Sequence, residues 1–384
     1  MLLKCRRVLY IPAMPFDVHD FPGASRMDRA ATRQSRRLVA IWLFTVAAMI
    51  MVMIVLGGVT RLTGSGLSIM EWAPLMGTLP PSSDSEWQRL FDLYQKIPQY
   101  ALVNDGFGLD GFKHIFWLEW THRLWGRLIG IVFLLPMLLL WATARIERHM
   151  VPRLSLLFIL GGLQGAVGWF MVASGFAPDA TAVSPYRLVI HLALALTLYA
   201  AIIWAGLSAL YPLRHRVPVS RLLRGLAIAT LVMVSATIIA GGFTAGLHAG
   251  LAYNTFPLME GSIVPDGYTM LNPLIRNFTE NVAAVQFDHR MLATITLILV
   301  SALAAAGWRA GLPRPLMACL IVAVLGQYLL GVTTLLLVVP VSVATLHQCG
   351  AVILLTVMLV LVHRLSNAPR PWIERQPVLE TTVT

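Results

Sequence analysis

Glu119 and His122 stand three positions apart in the stretch EWTHRLWG (119–126), at the entrance to the apolar run RLIGIVFLLPMLLLWA. Ionisable groups at the edge of a membrane span are costly and are usually retained for a task, and a three-residue spacing puts both on one helical face. Three further histidines, His191, His289 and His347, lie within or at the ends of other apolar blocks. A single histidine in such a place most simply hydrogen-bonds a neighbouring helix. Four that fall into two pairs suggest more. Two imidazoles facing each other across a helical bundle form a natural axial pair for haem iron, and neutral imidazole, the form that ligates, suits a site of low polarity. A zinc site needs a third or fourth protein ligand, which neither pair supplies. His114 and His248 belong to outer loops, while His19, His149, His215 and His363 lie in tails or beside inner loops and are expected to be solvated.

The two pairs differ in one neighbour. The position equivalent to Glu119 is Gln286, which cannot exchange a proton, and Asp288 is displaced to the next face. A carboxylate beside a metal can do acid–base work, so the first pair is expected to be catalytic and the second to hold an electron-transfer haem. The competing reading is that Glu119 pairs with Arg123 or Arg127 at the membrane edge. Arg123, Arg187 and Arg290, at the outer rim, are candidate partners for haem propionates or cations snorkelling to lipid headgroups.

The elements that position these residues follow from hydropathy. Of 384 residues, 57% are hydrophobic and 12% are charged, and the mean hydropathy is +0.73. Soluble domains carry about 25% charged residues, so the chain is expected to be an all-α integral membrane protein. Apolar blocks at 38–59, 115–141, 153–173, 186–210, 222–243, 285–307, 315–335 and 340–362 are each long enough to span a bilayer, and in lipid such segments are helical. The net charge of +11 comes from arginines in short connections: Arg33, Arg36, Arg37, Arg145, Arg148, Arg153, Arg214, Arg216, Arg221, Arg224, Arg309, Arg314, Arg364 and Arg370 all fall on one side. The positive-inside rule makes that side cytoplasmic, with both termini inside, and no role with nucleic acid is expected. The long loops 60–114 and 244–284 then face outward.

Four features recur in order. GGVT (57–60) matches GGFT (241–244), EWTHR (119–123) matches QFDHR (286–290), LQGAVG (163–168) matches QYLLGV (327–332), and His191 matches His347. The chain therefore reads as two parallel four-helix-bundle repeats: a cytoplasmic tail (1–37), a first half with the catalytic site (38–210), a linker (211–221), a second half with the haem site (222–365) and a C-terminal tail (366–384). The N-terminal tail is expected to be unstructured and has no apolar core long enough for a signal peptide; Met27 is an alternative start. Cys5, Cys319 and Cys349 form no cluster, which leaves zinc and iron–sulfur readings unsupported. GGVT with GSGLS (64–68) lacks the Lys-Ser/Thr of a phosphate loop and reads as a tight turn and close helix packing. In residues 83–100, Trp87, Leu90, Phe91 and Tyr94 recur at helical spacing, as in a helix lying on the outer surface or covering the first site.

Over residues 38–365 the chain resembles the haem A synthase family in its alphaproteobacterial and mitochondrial form. The resemblance rests on GGVTRLTGSGLSI (57–69), WAPLMGTLPP (72–81), FKHIFWLEWTHRLWGR (112–127), LQGAVGWFMVASG (163–175), AGLHAGLAYNTFPLMEG (245–261), ENVAAVQFDHR (280–290) and ATLHQCGA (344–351). The first outer loop lacks the cysteine pair of the Gram-positive form, and Gln99 and Gly111 stand where acidic residues are expected. The resemblance implies two successive hydroxylations of the haem O C8 methyl, through an alcohol and a geminal diol that loses water, to give the formyl group of haem A for cytochrome oxidase. It implies that His289 and His347 hold haem b, that His122 and His191 flank the haem O substrate, and that Glu119 is the catalytic carboxylate. It also implies a bacterial inner-membrane location and a haem O synthase as supplier of substrate, and it is compatible with a homo-oligomer. The alternative is a di-haem membrane cytochrome b exchanging electrons with quinone. A secondary transporter fits the repeats but not the clustering of polar groups at one face.

Overall fold

Eight helices long and apolar enough to cross a membrane dominate the computed structural model, which describes residues 26–72, 76–211 and 219–366. In chain order the helices are α1 (Arg26–Leu62), α2 (Asp84–Tyr94), α3 (Pro98–Val103), α4 (Leu109–Ala142), α5 (Val151–Val172), α6 (Pro185–Leu210), α7 (Arg221–Gly246), α8 (Asn277–Glu280), α9 (Val282–Arg309), α10 (Arg314–Leu336) and α11 (Val341–Ser366). Prolines open α5, α6 and α10, where a missing N–H costs nothing. Ser220 caps α7 by accepting from the Leu223 N–H, and Asn281 caps α9 by accepting from Ala283.

The repeat seen in the sequence is a repeat in space. Helices α1, α4, α5 and α6 pack in a ring, and α7, α9, α10 and α11 pack in the same cyclic order. The halves join through equivalent pairs, α6 against α7 and α11 against α1. Gly58 of α1 lies against Gln348 of α11, whose Nε2 donates to the Ile54 carbonyl at 2.8 Å; the equivalent Gly242 of α7 lies against Val189 and Leu192 of α6. Glycines at these two contacts let the backbones approach closely.

Between α1 and α4 in chain order, helices α2 and α3 form a cap at one end of the bundle. Ser83 caps α2 through the Glu86 N–H, and Trp87, Leu90, Phe91 and Tyr94 are buried against Phe112 and Phe116 of α4, as the spacing predicted. Trp87 meets Phe116 edge-on at 4.9 Å. Gln99 is buried; it accepts from the Tyr94 hydroxyl and donates to the Gly64 carbonyl. Gly64 has φ +66, the turn read from GSGLS, which brings that carbonyl within reach.

Two expectations fail. The segment from Arg26 to Arg37 continues α1 as helix, and Arg36 forms an ion pair with Glu147 at 2.6 Å. His363 is buried, edge-on to Trp204 at 4.9 Å and within 3.1 Å of Ser208 Oγ, since the last turn of α11 faces α6. Cys5, His19, Arg214, His215, Arg216 and Arg370, with residues 1–25, 212–218 and 367–384, lie outside the described residues.

Candidate functional site

Each of the four paired histidines leans on a glycine of the preceding helix. A methyl group added at Gly57 of α1 would come within 3.0 Å of Cε1 of His122. At Gly168 of α5, Gly241 of α7 and Gly331 of α10 it would come within 2.9 Å of Cε1 of His191, His289 and His347 respectively. Gly57 and Gly241 occupy the same position of GGVT and GGFT, and Gly168 and Gly331 come into register when QGAVG (164–168) is set against QYLLG (327–331), one residue from the alignment of LQGAVG with QYLLGV. They are the site residues that sequence reasoning missed as such.

The rings are held by one edge. Nδ1 of His122, His289 and His347 is enclosed and makes no hydrogen bond of ordinary geometry. The backbones of Thr237 and Gln327, one turn before the glycines at 241 and 331, lie beside His289 and His347. All four residues keep some accessible surface. A ligating histidine turns one nitrogen to the protein and the other to the metal; in three of these rings Nδ1 is the enclosed nitrogen. In the first half the Gln164 side-chain nitrogen donates to the His191 carbonyl at 3.0 Å and lies 3.1 and 3.4 Å from the two ring nitrogens, placing it over the imidazole face.

The spacing of the second pair tests whether it fits a haem. An imidazole nitrogen ligates a metal at about 2.0–2.1 Å, and the ring centroid lies about 1.1 Å behind it, so two axial rings on one iron stand about 6.3 Å apart. The His289 and His347 centroids are 6.5 Å apart, with the rings at 82°. The centroid spacing matches that of an axial pair, and among the described residues no cluster of three or more His, Cys, Asp or Glu offers another metal site.

Beside each pair, an outer loop is pinned by the same device. Glu119, 3% exposed, accepts from Ser68 Oγ at 2.8 Å and from the Ile69 N–H at 2.9 Å through Oε2. Its Oε1 accepts from Arg123, at 2.7 Å from Nη2 and 3.1 Å from Nε. Arg123 also donates to the carbonyls of Ile69 and Glu71. In the second half Gln286 donates to the carbonyls of Ala249 and Ala252, while Arg290 donates to Gln286 Oε1 and to the carbonyls of Tyr253 and Thr255. Loop 65–71 presents donors and meets a carboxylate; loop 249–255 presents carbonyls and meets an amide. Part of the Glu119–Gln286 difference is therefore loop polarity. Arg187 lies over the Phe170 ring at 3.9 Å and donates to its carbonyl. The three rim arginines picked out in the sequence are thus engaged by protein. Asp288 accepts from the Tyr268 hydroxyl at 2.8 Å.

The architecture and these sites define a class: a multi-pass helical membrane protein of two equivalent halves, each presenting a histidine pair near one face. Similarity to known proteins narrows it. The COX15-CtaA family, described as cytochrome oxidase assembly protein, matches residues 40–359, and the chain belongs to this family. It is 62% identical over 339 residues to the "Heme A synthase" of Granulibacter bethesdensis, a match covering 88% of this chain and 90% of the relative. It is 45% identical to the "Heme A synthase" of Parvibaculum lavamentivorans, covering 88% and 96% of the two chains. A third relative of that name, from Rhodospirillum centenum, is 44% identical, covering 91% and 93%.

Proposed function

We propose that the protein is a haem A synthase that oxidises the C8 methyl of haem O to a formyl group by two successive hydroxylations. The observation that carries this reading is the doubled histidine site with unequal neighbours: one pair spaced for a bis-histidine haem beside an amide, the other beside a carboxylate. Family membership and the names of the relatives support it.

The second half holds the resident cofactor, with His289 and His347 as axial ligands. Haem b at that position supplies a one-electron carrier. Its surroundings suit permanence, because Gln286 and Arg290 hold the covering loop by hydrogen bonds that involve no titrating carboxylate. The first half takes haem O, with His122 and His191 placing the ring. Each hydroxylation removes hydrogen from the methyl carbon, and Glu119 is the proton acceptor nearest His122, one helical turn away. Ser68, Ile69 and Arg123 fix its orientation. A positioned base of this kind contributes about 10²–10⁴-fold.

The location is the bacterial inner membrane with both termini cytoplasmic. Arg145, Arg148, Arg153, Arg221, Arg224, Arg309, Arg314 and Arg364 lie at one end of the bundle, and the histidine pairs lie toward the other. The site therefore opens near the outer face. The direct test is expression in a host that makes haem O but no haem A, followed by pigment extraction. Haem A is expected; haem O alone, with the protein folded and haem b bound, overturns the assignment.

A further inference from the structure

Arg61, the last arginine of α1, lies on the seam between the halves, one turn beyond the level of the histidine seats. Gly57 faces His122 of the first half, and Gly58 faces Gln348 of the second. Successive residues of a helix are about 100° apart, so a residue four beyond Gly57 points about 40° on, between those two faces. The side chain then crosses to the other half: Nη1 donates to the Ala245 carbonyl at 2.8 Å. Ala245 is the repeat equivalent of Arg61, in GGFTA against GGVTR, and lies one turn beyond Gly241, the seat of His289. One guanidinium is therefore placed just outside both sites.

Its charge is not answered by the protein. Among the described residues no carboxylate pairs with Arg61, and its Nε and Nη2 donate to no protein group. Its titratable neighbour in the outer loop is His248, whose imidazole is pushed below its ordinary range by burial and by the adjacent guanidinium, which favours the neutral ring. Arg123, by contrast, is neutralised by Glu119, and Arg290 is occupied by three oxygens. A half-buried cation at a membrane edge, without an anion and with free donors, is placed to receive one. Resting on the function proposed above, the anion at hand is a tetrapyrrole carboxylate. Each haem carries two, and they avoid the hydrocarbon and turn to the outer face.

We propose that Arg61 is a propionate receptor on the seam between the two haem sites, reaching from the first half to the carboxylate of a tetrapyrrole. A planar guanidinium binds carboxylate through parallel hydrogen bonds. Because the residue stands between the sites, the carboxylate can come from the resident haem b or from haem O, and the two sources give different results in one experiment.

The test uses purified full-length wild type, Arg61→Gln and Arg61→Lys. In one arm, transfer of the resident low-spin haem to excess apomyoglobin is timed. In the other, the first site is titrated with protohaem IX and with its dimethyl ester, which keeps the ring but has no carboxylate. If haem b is the source, transfer from Arg61→Gln is about tenfold faster or more, the scale of a lost charge-assisted hydrogen bond, and Arg61→Lys recovers part of the difference. If haem O is the source, Arg61→Gln weakens protohaem IX binding about tenfold and leaves the ester unchanged. The proposal is overturned if neither arm moves, or if the ester loses as much affinity as the free acid, which would make Arg61 only a tie to Ala245. A wild-type protein that binds no tetrapyrrole overturns the proposed function along with it.

Discussion

Replacing Gly241 by alanine puts one methyl group where the structure leaves room for none. The new carbon would stand 2.9 Å from Cε1 of His289, 3.5 Å from Nδ1 and 3.6 Å from Nε2. Non-bonded carbons settle at about 3.5–4.0 Å, so the ring or helix α7 must retreat by about 0.6–1.1 Å. Metal–ligand distances tolerate about 0.2 Å, so the shift is several times what an axial bond absorbs. Overpacking of this kind costs about 1–3 kcal/mol, enough to lower haem occupancy without unfolding eight helices. Gly331→Ala sets the same 2.9 Å contact against His347 and should have the same effect from the opposite side of the haem. The controls are Gly225→Ala on α7 and Gly326→Ala on α10, where nothing lies within 4 Å of the added carbon. The assay is the haem-to-protein ratio and the low-spin absorption spectrum of purified protein. The seat variants should lose most of the signal and the controls none. Full occupancy and an unshifted spectrum in Gly241→Ala and Gly331→Ala would refute the idea that these glycines seat the ligands.

Three other outcomes are expected. Glu119→Gln should keep haem b and lose haem A formation by at least about tenfold, whereas Ser68→Ala, which loosens the same segment but spares the carboxylate, should lose far less; equal losses would reduce Glu119 to a fastening of loop 65–71. Arg290→Ala removes the donor shared by Tyr253, Thr255 and Gln286, and at about 1.5–3 kcal/mol for hydrogen bonds to a charged group it should make loop 249–255 open to protease in right-side-out vesicles; unchanged cleavage would count against the clamp. Reporter fusions after Gly106 and Asp266 should read as external and one after Arg216 as internal, and an external reading at Arg216 would break the topology.

Much of this was legible in the sequence because membrane helices announce themselves locally. Unbroken apolar runs give the eight spans, and the order of GGVT, EWTHR, LQGAVG and His191 gives the repeat. The amphipathic spacing of Trp87, Leu90, Phe91 and Tyr94 gave the buried face of α2 for the same reason. What escaped depends on partners distant in the chain. A glycine in an apolar helix signals close packing but not which side chain fills the space, so Gly168 and Gly331 were not linked to His191 and His347. Arg123 and Arg290 read as candidate propionate partners or snorkelling cations, and nothing in EWTHR or QFDHR reveals that loop carbonyls also take their donors. His363 was expected in water because it lies at the end of a span; Trp204, which covers it, belongs to a helix of the other half.

The central claim is the division of labour between the halves, with a resident haem held by His289 and His347 and the substrate taken at His122 and His191. The most direct test is the absorption and paramagnetic-resonance spectrum of purified His289→Ala, His347→Ala and His122→Ala proteins. The account predicts loss of the bis-histidine b-type signal in the first two and its retention in the third. A full bis-histidine haem b spectrum in either second-half variant would contradict it.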